Sequence, residues 1–361
     1  MKASFPNNGG AMKKKSSPLN KLVCVILCLG MLLPLSGCGE SRMVQSQVFA
    51  MNTAMTLTAY GKRAEDGLRA AEGVIQSMQN MCDPDLPTSY TYAINHAEGQ
   101  NVVVSAQVAK MLTTAATVYK QSGGALELSI YPLVKRWGFE DGKYYLPSEE
   151  EIYADRALLC YDQMVLTSFP TTGGYAVSFP AGAQISFAAV ARGCASENAV
   201  DAMRQAGVES GIVSLGSNIQ TLGNTPDGSQ WTVGIQDPNN LSTYLGVINV
   251  GETAVVTSAA YQCRFNASNG RVYHHILSPV TGYSVNNNLL SVTVICEDGT
   301  MADALSTALY VMGESRALNY WRTYGGFELI LVTSDDRIVC TKGLIDNFTQ
   351  TVDSYTLSFQ E

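Results

Sequence analysis

Residues 289–312 read LLSVTVICEDGTMADALSTALYVM, and this stretch carries the clearest structural signal in the chain. Its first part, Leu289–Cys296, is an almost continuous run of apolar and β-branched residues, which predicts a strand. The remainder predicts a helix over about 300–312. Asp303 and Thr307 are four positions apart on that helix, so both side-chain oxygens are expected on one face.

Strand and helix patterns also alternate on both sides of this stretch. Helices are predicted over 62–80, 105–121, from 147 onward and over 189–207. Strands are predicted within 47–60, at 163–166, 176–179, 185–187, 211–215, 231–235, 245–250, 254–257, 272–276, 328–333 and 337–341. The order predicts an α+β fold in which sheets and helices form one intimately mixed unit, and two lobes around a cleft are compatible with it.

Composition and charge narrow the class of protein. The chain has 361 residues, 46% of them hydrophobic and 15% charged, which excludes a disordered protein. Its formal charge is 23 − 31 = −8, and without the five lysines of residues 1–37 it is 18 − 31 = −13. Because nucleic-acid binding requires basic side chains to neutralise phosphates, this function is not expected.

The N-terminal residues are typical of an export signal. Basic residues precede a 14-residue apolar run over 22–35, and LSGC follows at 35–38. LSGC resembles the lipobox of bacterial lipoproteins, in which the cysteine is lipidated; an ordinary signal peptide is the alternative. We therefore predict a signal peptide over 1–37, with translation starting at Met1 or Met12, lipidation at Cys38, a tether over 38–45 and one domain over 46–361. The protein is then expected on the outer face of the cytoplasmic membrane, or the periplasmic side of a membrane.

The cysteines do not indicate a metal site. Six remain after residue 38, widely spaced and without a CxxC pair, so neither a zinc site nor a redox motif is supported. Cys296 and Cys340 follow apolar residues and are expected to behave as small buried hydrophobes.

Eight short segments, taken in order, are more specific than any single motif. They are FAMNTAMTL at 49–57, GGALE at 123–127, YPLVKRWGF at 131–139, AAVARG at 188–193, SLGSN at 214–218, WTVGIQDP at 231–238, HILSPVTG at 275–282 and ADALSTAL at 302–309. Together they resemble the FAD:protein FMN transferases, the ApbE-type flavin transferases, over residues 46–345. The resemblance implies an enzyme that uses Mg²⁺ to transfer the FMN half of FAD to a Ser or Thr hydroxyl of an acceptor flavoprotein, with AMP leaving. The implied acceptors are membrane redox subunits or exported flavoproteins.

The resemblance also implies roles for individual residues. Metal ligands fall on Asp303, Thr307 and the backbone carbonyl of Ala189, and catalytic roles on His275 and Asp303. On a strand His274 would point away from His275, so only one of the pair can face the cleft. The implied flavin-binding residues are Met51, Asn95, Ala125, Leu126, Glu127, Ser186, Arg192 and His275.

Several positions depart from the family pattern. Ser186 and Ser278 stand where the family has aspartates, which predicts the loss of two carboxylates from the nucleotide cleft. Arg192 replaces a lysine, Glu127 an aspartate and Ser217 a glycine. Three alternatives to a working transferase therefore stay open: a catalytically weakened flavin-binding relative, an enzyme that hydrolyses FAD to FMN and AMP, and a solute-binding lipoprotein.

Overall fold

The computed structural model describes residues 42–169 and 173–361. The proposed signal peptide and Cys38 lie outside these residues, as does part of the tether. Eight helices are found in the described part: α1 (Ala64–Cys82), α2 (Tyr90–Asn95), α3 (Ala106–Ser122), α4 (Tyr131–Arg136), α5 (Glu149–Arg156), α6 (Ala191–Gln205), α7 (Gly299–Met312) and α8 (Glu314–Tyr324). No helix within these described residues is long and apolar enough to span a bilayer.

Seventeen strands are found over the same residues. They are β1 (Met43–Ala50), β2 (Thr53–Tyr60), β3 (Val102–Val104), β4 (Val165–Phe169), β5 (Gly174–Ser178), β6 (Gly211–Leu215), β7 (Asn218–Leu222), β8 (Trp231–Gln236), β9 (Tyr244–Val250), β10 (Ala254–Ala259), β11 (Arg264–Asn266), β12 (Val272–His274), β13 (Leu289–Cys296), β14 (Glu328–Thr333), β15 (Arg337–Thr341), β16 (Phe348–Gln350) and β17 (Thr356–Gln360). The predicted α+β class is confirmed.

One nine-stranded sheet organises the domain, in the order β1-β2-β6-β7-β10-β13-β14-β15-β17. All its neighbours are antiparallel except β15 and β17. Three smaller sheets have the orders β16-β9-β8, β3-β5-β4 and β11-β12.

The large sheet is covered on both faces. Val256, Leu329 and Leu331 belong to a core shared with helices α1, α3, α6 and α7. Their chain neighbours Val255 and Ile330 belong to a second core, shared with β8 and β9. Successive residues of a strand face opposite sides, so this alternation places the helices on one face and the three-stranded sheet on the other.

Local sequence explains where several elements begin. Ser105 caps α3 by accepting a hydrogen bond from the Val108 amide, as predicted, and Ser148 forms a capping box with Glu151 at the start of α5. Asp298 caps α7 by accepting from the Met301 amide. These caps satisfy amides that have no partner inside their own helices.

The predicted strand at 185–187 is wrong. The backbone of this segment bonds elsewhere: the Ile185 amide donates to the Asn95 side chain at 2.7 Å, and the Ser186 amide to the Leu128 carbonyl at 3.0 Å. Residues 185–187 therefore pass between α2 and the chain that precedes α4 without joining a sheet. The six cysteines described are free, and Cys340 is fully buried while Cys296 is only partly buried.

Candidate active site

A cleft of about 1240 Å³ brings together residues that lie far apart in the sequence. It collects residues from the β1–β2 turn, the chain before α4, the start of α6, strands β7, β8 and β10, the segment after β12, and α7. Nine of the predicted site residues line it: Met51, Ala125, Leu126, Glu127, Ser186, Ala189, Arg192, His275 and Thr307.

Asp303 lies behind the wall of this cleft, in the contact between α6 and α7. Its side chain is only 3% exposed, and Oδ2 accepts a hydrogen bond of 2.8 Å from the Gly193 amide in the first turn of α6. A β-carbon built on Gly193 would lie 2.1 Å from the Gly299 carbonyl oxygen and 2.6 Å from Asp303 Cβ. Glycine at 193 is therefore what allows the carboxylate to reach the start of α6.

This bond changes the hydrogen bonding of Ala189. In a continuing helix the Gly193 amide would donate to the carbonyl four residues earlier, which belongs to Ala189. Here that amide donates to Asp303, and no N–H or O–H group of the described residues donates to the Ala189 carbonyl. The carbonyl is free to accept a ligand, and Ala189 lines the cleft.

Thr307 completes a set of oxygen donors. It lies one turn after Asp303 on α7 and lines the cleft, with Oγ1 at 3.3 Å from the Ser258 hydroxyl. A carboxylate, a hydroxyl and a backbone carbonyl are ligands that suit Mg²⁺, whose remaining positions are commonly filled by phosphate oxygens and water. No group of three His, Cys, Asp or Glu side chains that could hold a metal occurs over 42–169 and 173–361, so any ion here would rest on one carboxylate. These residues fit the ion that the family resemblance implies.

The charge of Arg192 acts on both candidate catalytic groups. Burial raises the pKa of Asp303, while the Arg192 guanidinium and the Gly193 amide partly oppose that rise. Burial also lowers the pKa of His275 to about 4, and Arg192 adds to this shift by repelling a second positive charge. Arg192 therefore favours an ionised Asp303 and a neutral His275.

The two adjacent histidines face different surroundings, as predicted. His275 lines the cleft, and its Nδ1 lies 3.2 Å from the Cys263 carbonyl, so the proton is assigned to Nδ1 and Nε2 keeps its lone pair. His274 is buried, and its Nε2 lies 2.9 Å from the Val285 carbonyl. Only His275 is available to a molecule in the cleft.

Met51 reaches the cleft through an unusual turn. It joins β1 to β2 together with Asn52, and their φ angles are +47° and +56°. Two consecutive left-handed residues form the hairpin turn that matches the twist of paired strands, and a methionine there is strained. Gln79 fixes the turn by accepting a hydrogen bond of 2.9 Å from the Met51 amide.

Glu127 lines the cleft and also caps a short helix. Its Oε1 accepts from the Ser129 amide at 2.9 Å and from the Ser129 hydroxyl at 2.6 Å, which caps the short helix Leu128–Ile130. Burial is the largest influence on this carboxyl and raises its pKa. Ser186 also lines the cleft, and its hydroxyl accepts from the Ala188 amide at 3.2 Å.

Asn95 and Ser278, like Asp303, are not among the residues that line the cleft. Asn95 does not line it, because its amide group is bonded on both sides to the backbone of Ile185, at 2.7 and 3.0 Å. Its contribution is to position the segment that carries Ser186. Ser278 is also absent from the lining; its hydroxyl accepts from the Thr281 amide within a turn. Ser186 is therefore the only one of the two aspartate-to-serine departures that faces the cleft.

Two parts of the cleft wall contain none of the predicted site residues. One is acidic and consists of Asp83, Asp85, Glu140 and Asp141. Burial raises the pKa of Glu140, with repulsion from Asp85 and Asp83 adding to the rise. The other part is strand β8, of which residues 232–236 line the cleft. In the sequence these acids occur as DPD at 83–85 and ED at 140–141, and their meeting in the cleft depends on the tertiary fold.

The fold is shared with proteins of solved structure. The chain resembles the crystal structure of the ApbE protein of Thermotoga maritima with a TM-score of 0.76 and 24% identity, covering 84% of this chain and 98% of that one. It resembles the flavin transferase ApbE of Vibrio cholerae with a TM-score of 0.73 and 22% identity, covering 87% and 98%.

Sequence comparison then assigns the family. The ApbE family model matches residues 51–331, and the chain belongs to this family. It is 30% identical over 268 residues to a FAD:protein FMN transferase of Klebsiella pneumoniae, covering 74% of this chain and 82% of the relative. It is 28% identical over 351 residues to a FAD:protein FMN transferase of Treponema pallidum, covering 92% and 96%. Membership of this family removes the reason for considering a solute-binding lipoprotein.

Proposed function

We propose that this protein is an FAD:protein FMN transferase that requires Mg²⁺, acts on a Ser or Thr hydroxyl of an acceptor flavoprotein, and releases AMP. The observation that carries the proposal is the arrangement of Asp303, Thr307 and the Ala189 carbonyl beside Arg192 and His275. Family membership supports it, because relatives over most of the chain are named FAD:protein FMN transferase.

The reaction is a displacement at phosphorus. The hydroxyl oxygen of the acceptor forms a bond to the phosphorus of the FMN half, and the bond from that phosphorus to the oxygen bridging it to AMP breaks. The hydroxyl loses its proton to the solvent, and nothing is oxidised or reduced. Such a reaction depends on holding the phosphate and the hydroxyl in line and on stabilising the charge of the phosphate oxygens.

Three groups of the chain would hold Mg²⁺: the Asp303 carboxylate, the Thr307 hydroxyl and the Ala189 carbonyl. A bound Mg²⁺ supplies neutralisation of the pyrophosphate charge and a fixed point for its oxygens. Arg192 adds a planar cation in the cleft, which suits a phosphate better than a single ammonium group does.

His275 would accept a hydrogen bond from the attacking hydroxyl. Its pKa of about 4 keeps the ring neutral near pH 7, and the bond from Nδ1 to the Cys263 carbonyl fixes the tautomer with Nε2 as acceptor. A neutral ring beside Arg192 is a weak base, so its main contribution is to orient the hydroxyl and accept its hydrogen bond.

The test combines the purified full chain with FAD, Mg²⁺ and a flavoprotein fragment that accepts FMN from a known FAD:protein FMN transferase. We expect covalent flavin fluorescence on the denatured fragment. Asp303→Asn keeps the size of the side chain and removes its charge, so it should abolish labelling; Asp201→Asn, an exposed acid on α6, is the matched control.

Two other results of this experiment would refute the proposed function. FMN and AMP formed without labelled fragment would show FAD hydrolysis in place of transfer. FAD bound without turnover, with this and other acceptor fragments, would show a catalytically weakened relative. In either case the proposed transferase is refuted.

We further propose that the protein is exported and anchored to the outer face of a membrane through a lipidated Cys38. The support is the sequence LSGC after a basic and apolar start. Cells expressing the full chain and grown with a clickable palmitate analogue should label the wild type, and Cys38→Ser should lose the label and leave the membrane fraction. Labelling that survives in Cys38→Ser would refute this anchor.

A further inference from the structure

Strand β8 is an edge strand that lies inside the cleft. It pairs with β9 on one side, and none of the described strands pairs with its other side. Edge strands present unpaired N–H and C=O groups that attract other chains, and proteins commonly cover or protect them. Here the edge borders the same cleft as His275 and Thr307.

The hydrogen bonds of β9 show which groups of β8 point outward. The Asn249 amide donates to the Asn347 carbonyl at 2.9 Å, so the N–H and C=O groups of Asn249 face β16. Asn249 is the partner of Thr232 in β8. Antiparallel pairs alternate between bonded and unbonded, so the backbone groups of Thr232 point away from β9, towards the free edge.

The same reasoning applies two residues further along. Val247 is paired with Thr349 of β16 and, on its other side, with Gly234 of β8. Backbone groups two residues apart in a strand point to the same side, so the N–H and C=O of Val247 face β16, like those of Asn249. The N–H and C=O of Gly234 therefore point to the free edge. Outside the β8–β9 pairing, no hydrogen bond within the described part of the chain uses these backbone groups of Thr232 or Gly234.

The side chains of β8 leave the edge accessible. Val233 and Ile235 are buried in the core beneath the strand, so mainly their backbone faces the cleft. Gly234 has no side chain, and the Tyr244 ring lies so close that a β-carbon there would approach it to 2.6 Å. The strand therefore offers two donors and two acceptors about 7 Å apart along its length, the spacing of alternate residues in a strand.

From this geometry we infer that the acceptor flavoprotein binds by laying an extended segment along β8 as an additional antiparallel or parallel strand. The inference rests on the proposed function, which requires a polypeptide hydroxyl to enter this cleft. A polypeptide is the occupant that fits, because its own backbone repeats donor and acceptor at the same spacing. Main-chain pairing would hold the segment in a fixed register, which sets the depth at which the hydroxyl enters.

The sharpest test is Thr232→Pro. The substitution removes an outward N–H and places a ring at the edge. It breaks no backbone bond to β9 and loses only the bond from the Thr232 hydroxyl to the Asn249 side chain, so the sheet should tolerate it. With the acceptor fragment described above, we expect KM for the fragment to rise about tenfold, while KM for FAD and labelling at saturating fragment stay within about twofold of wild type. Thr232→Ala keeps the N–H and should not raise KM for the fragment.

A second measurement does not depend on the variant. Peptides that span the labelled residue of the fragment are made with a single N-methyl group, moved one residue at a time. Strand addition predicts that methylation at alternate positions weakens labelling, whereas the positions between them tolerate it.

The outcomes separate this inference from the proposed function. If the wild type labels no fragment, the proposed function fails. If the wild type labels but Thr232→Pro has an unchanged KM for the fragment, or N-methylation shows no alternation, strand addition is wrong. A rise in KM for FAD equal to that for the fragment would show that β8 binds the nucleotide, and would also overturn the inference.

Discussion

Replacing Gly193 with alanine should disturb both the stability and the chemistry of the protein. The new β-carbon would lie 2.1 Å from the Gly299 carbonyl oxygen, where ordinary contacts begin near 3.4 Å, so α6 and α7 must separate by about 1 Å. Overpacking against rigid backbone costs about 3 kcal/mol, and the better helix propensity of alanine returns about 1 kcal/mol. The net loss of about 2 kcal/mol should lower Tm by about 3 °C, because a domain of roughly 300 residues has an unfolding entropy of about 0.6–0.7 kcal/mol/K.

The same movement displaces Asp303, whose carboxylate is bonded to the Gly193 amide. A misplacement of about 1 Å at a reacting site costs about 10²-fold in rate, so labelling of the acceptor fragment should fall by that factor. Thermal unfolding and initial labelling rates, measured at a temperature where the variant is folded, test the two effects separately.

A matched control is available in α1. Gly73 is exposed and helical, and a β-carbon built there has nothing within 4 Å. Gly73→Ala should therefore raise stability by about 0.5–1 kcal/mol and leave labelling unchanged. A Gly193→Ala variant with the Tm and labelling rate of the wild type would refute the account of the α6–α7 contact.

Two further predictions concern stability. The pKa of His275 is lowered from 6.5 to about 4, so between these pH values the unfolded state binds a proton that the native state does not, and stability falls on acidification by up to about 3 kcal/mol. The free energy of unfolding, measured with urea at several pH values from 7 to 4, should fall more steeply with acidification in the wild type than in His275→Gln. The same dependence on pH in both proteins would contradict the lowered pKa. Asn95→Ala leaves the amide and carbonyl of Ile185 without their partner and should cost about 1–3 kcal/mol, measured by urea unfolding at pH 7. An unchanged midpoint would show that water or a shifted backbone replaces the amide.

Elements with strong local signals were predicted closely from the sequence. The strand Leu289–Cys296 was predicted with its observed bounds, because a run of β-branched residues has few other stable conformations. The start of α3 at Ser105 followed from its capping side chain. In such segments local preference and the final fold agree.

Strand β7 was not predicted, because its local sequence does not resemble that of a buried strand. Its residues Asn218 and Gln220 are polar and yet almost fully buried, so the segment NIQTL lacks the pattern of a strand in the middle of a sheet. Helix α8 was missed as well, although its apolar residues face the core at helical spacing.

The candidate site was likewise predicted only in part from the sequence. The spacing of Asp303 and Thr307 placed both on one face of a helix, and the resemblance placed Ala189 with them. The contact between Gly193 and Asp303 is between residues 110 positions apart, so no local pattern reports it. The outward backbone groups of Thr232 depend on the register between β9 and β16, which sequence spacing does not contain.

The order of strands in the large sheet has a consequence for folding kinetics. Thr56 of β2 lies opposite Ser214 of β6, so a loop of more than 150 residues must close before these two strands pair. Contacts between distant residues make folding slow, since the entropy of loop closure is lost before the contacts form. The residues that line the cleft extend from Phe49 to Val311, so the complete cleft forms only when all of this part of the chain has folded. FAD that binds only the complete cleft stabilises the native state against global unfolding. Added FAD should therefore slow global unfolding more than local fraying.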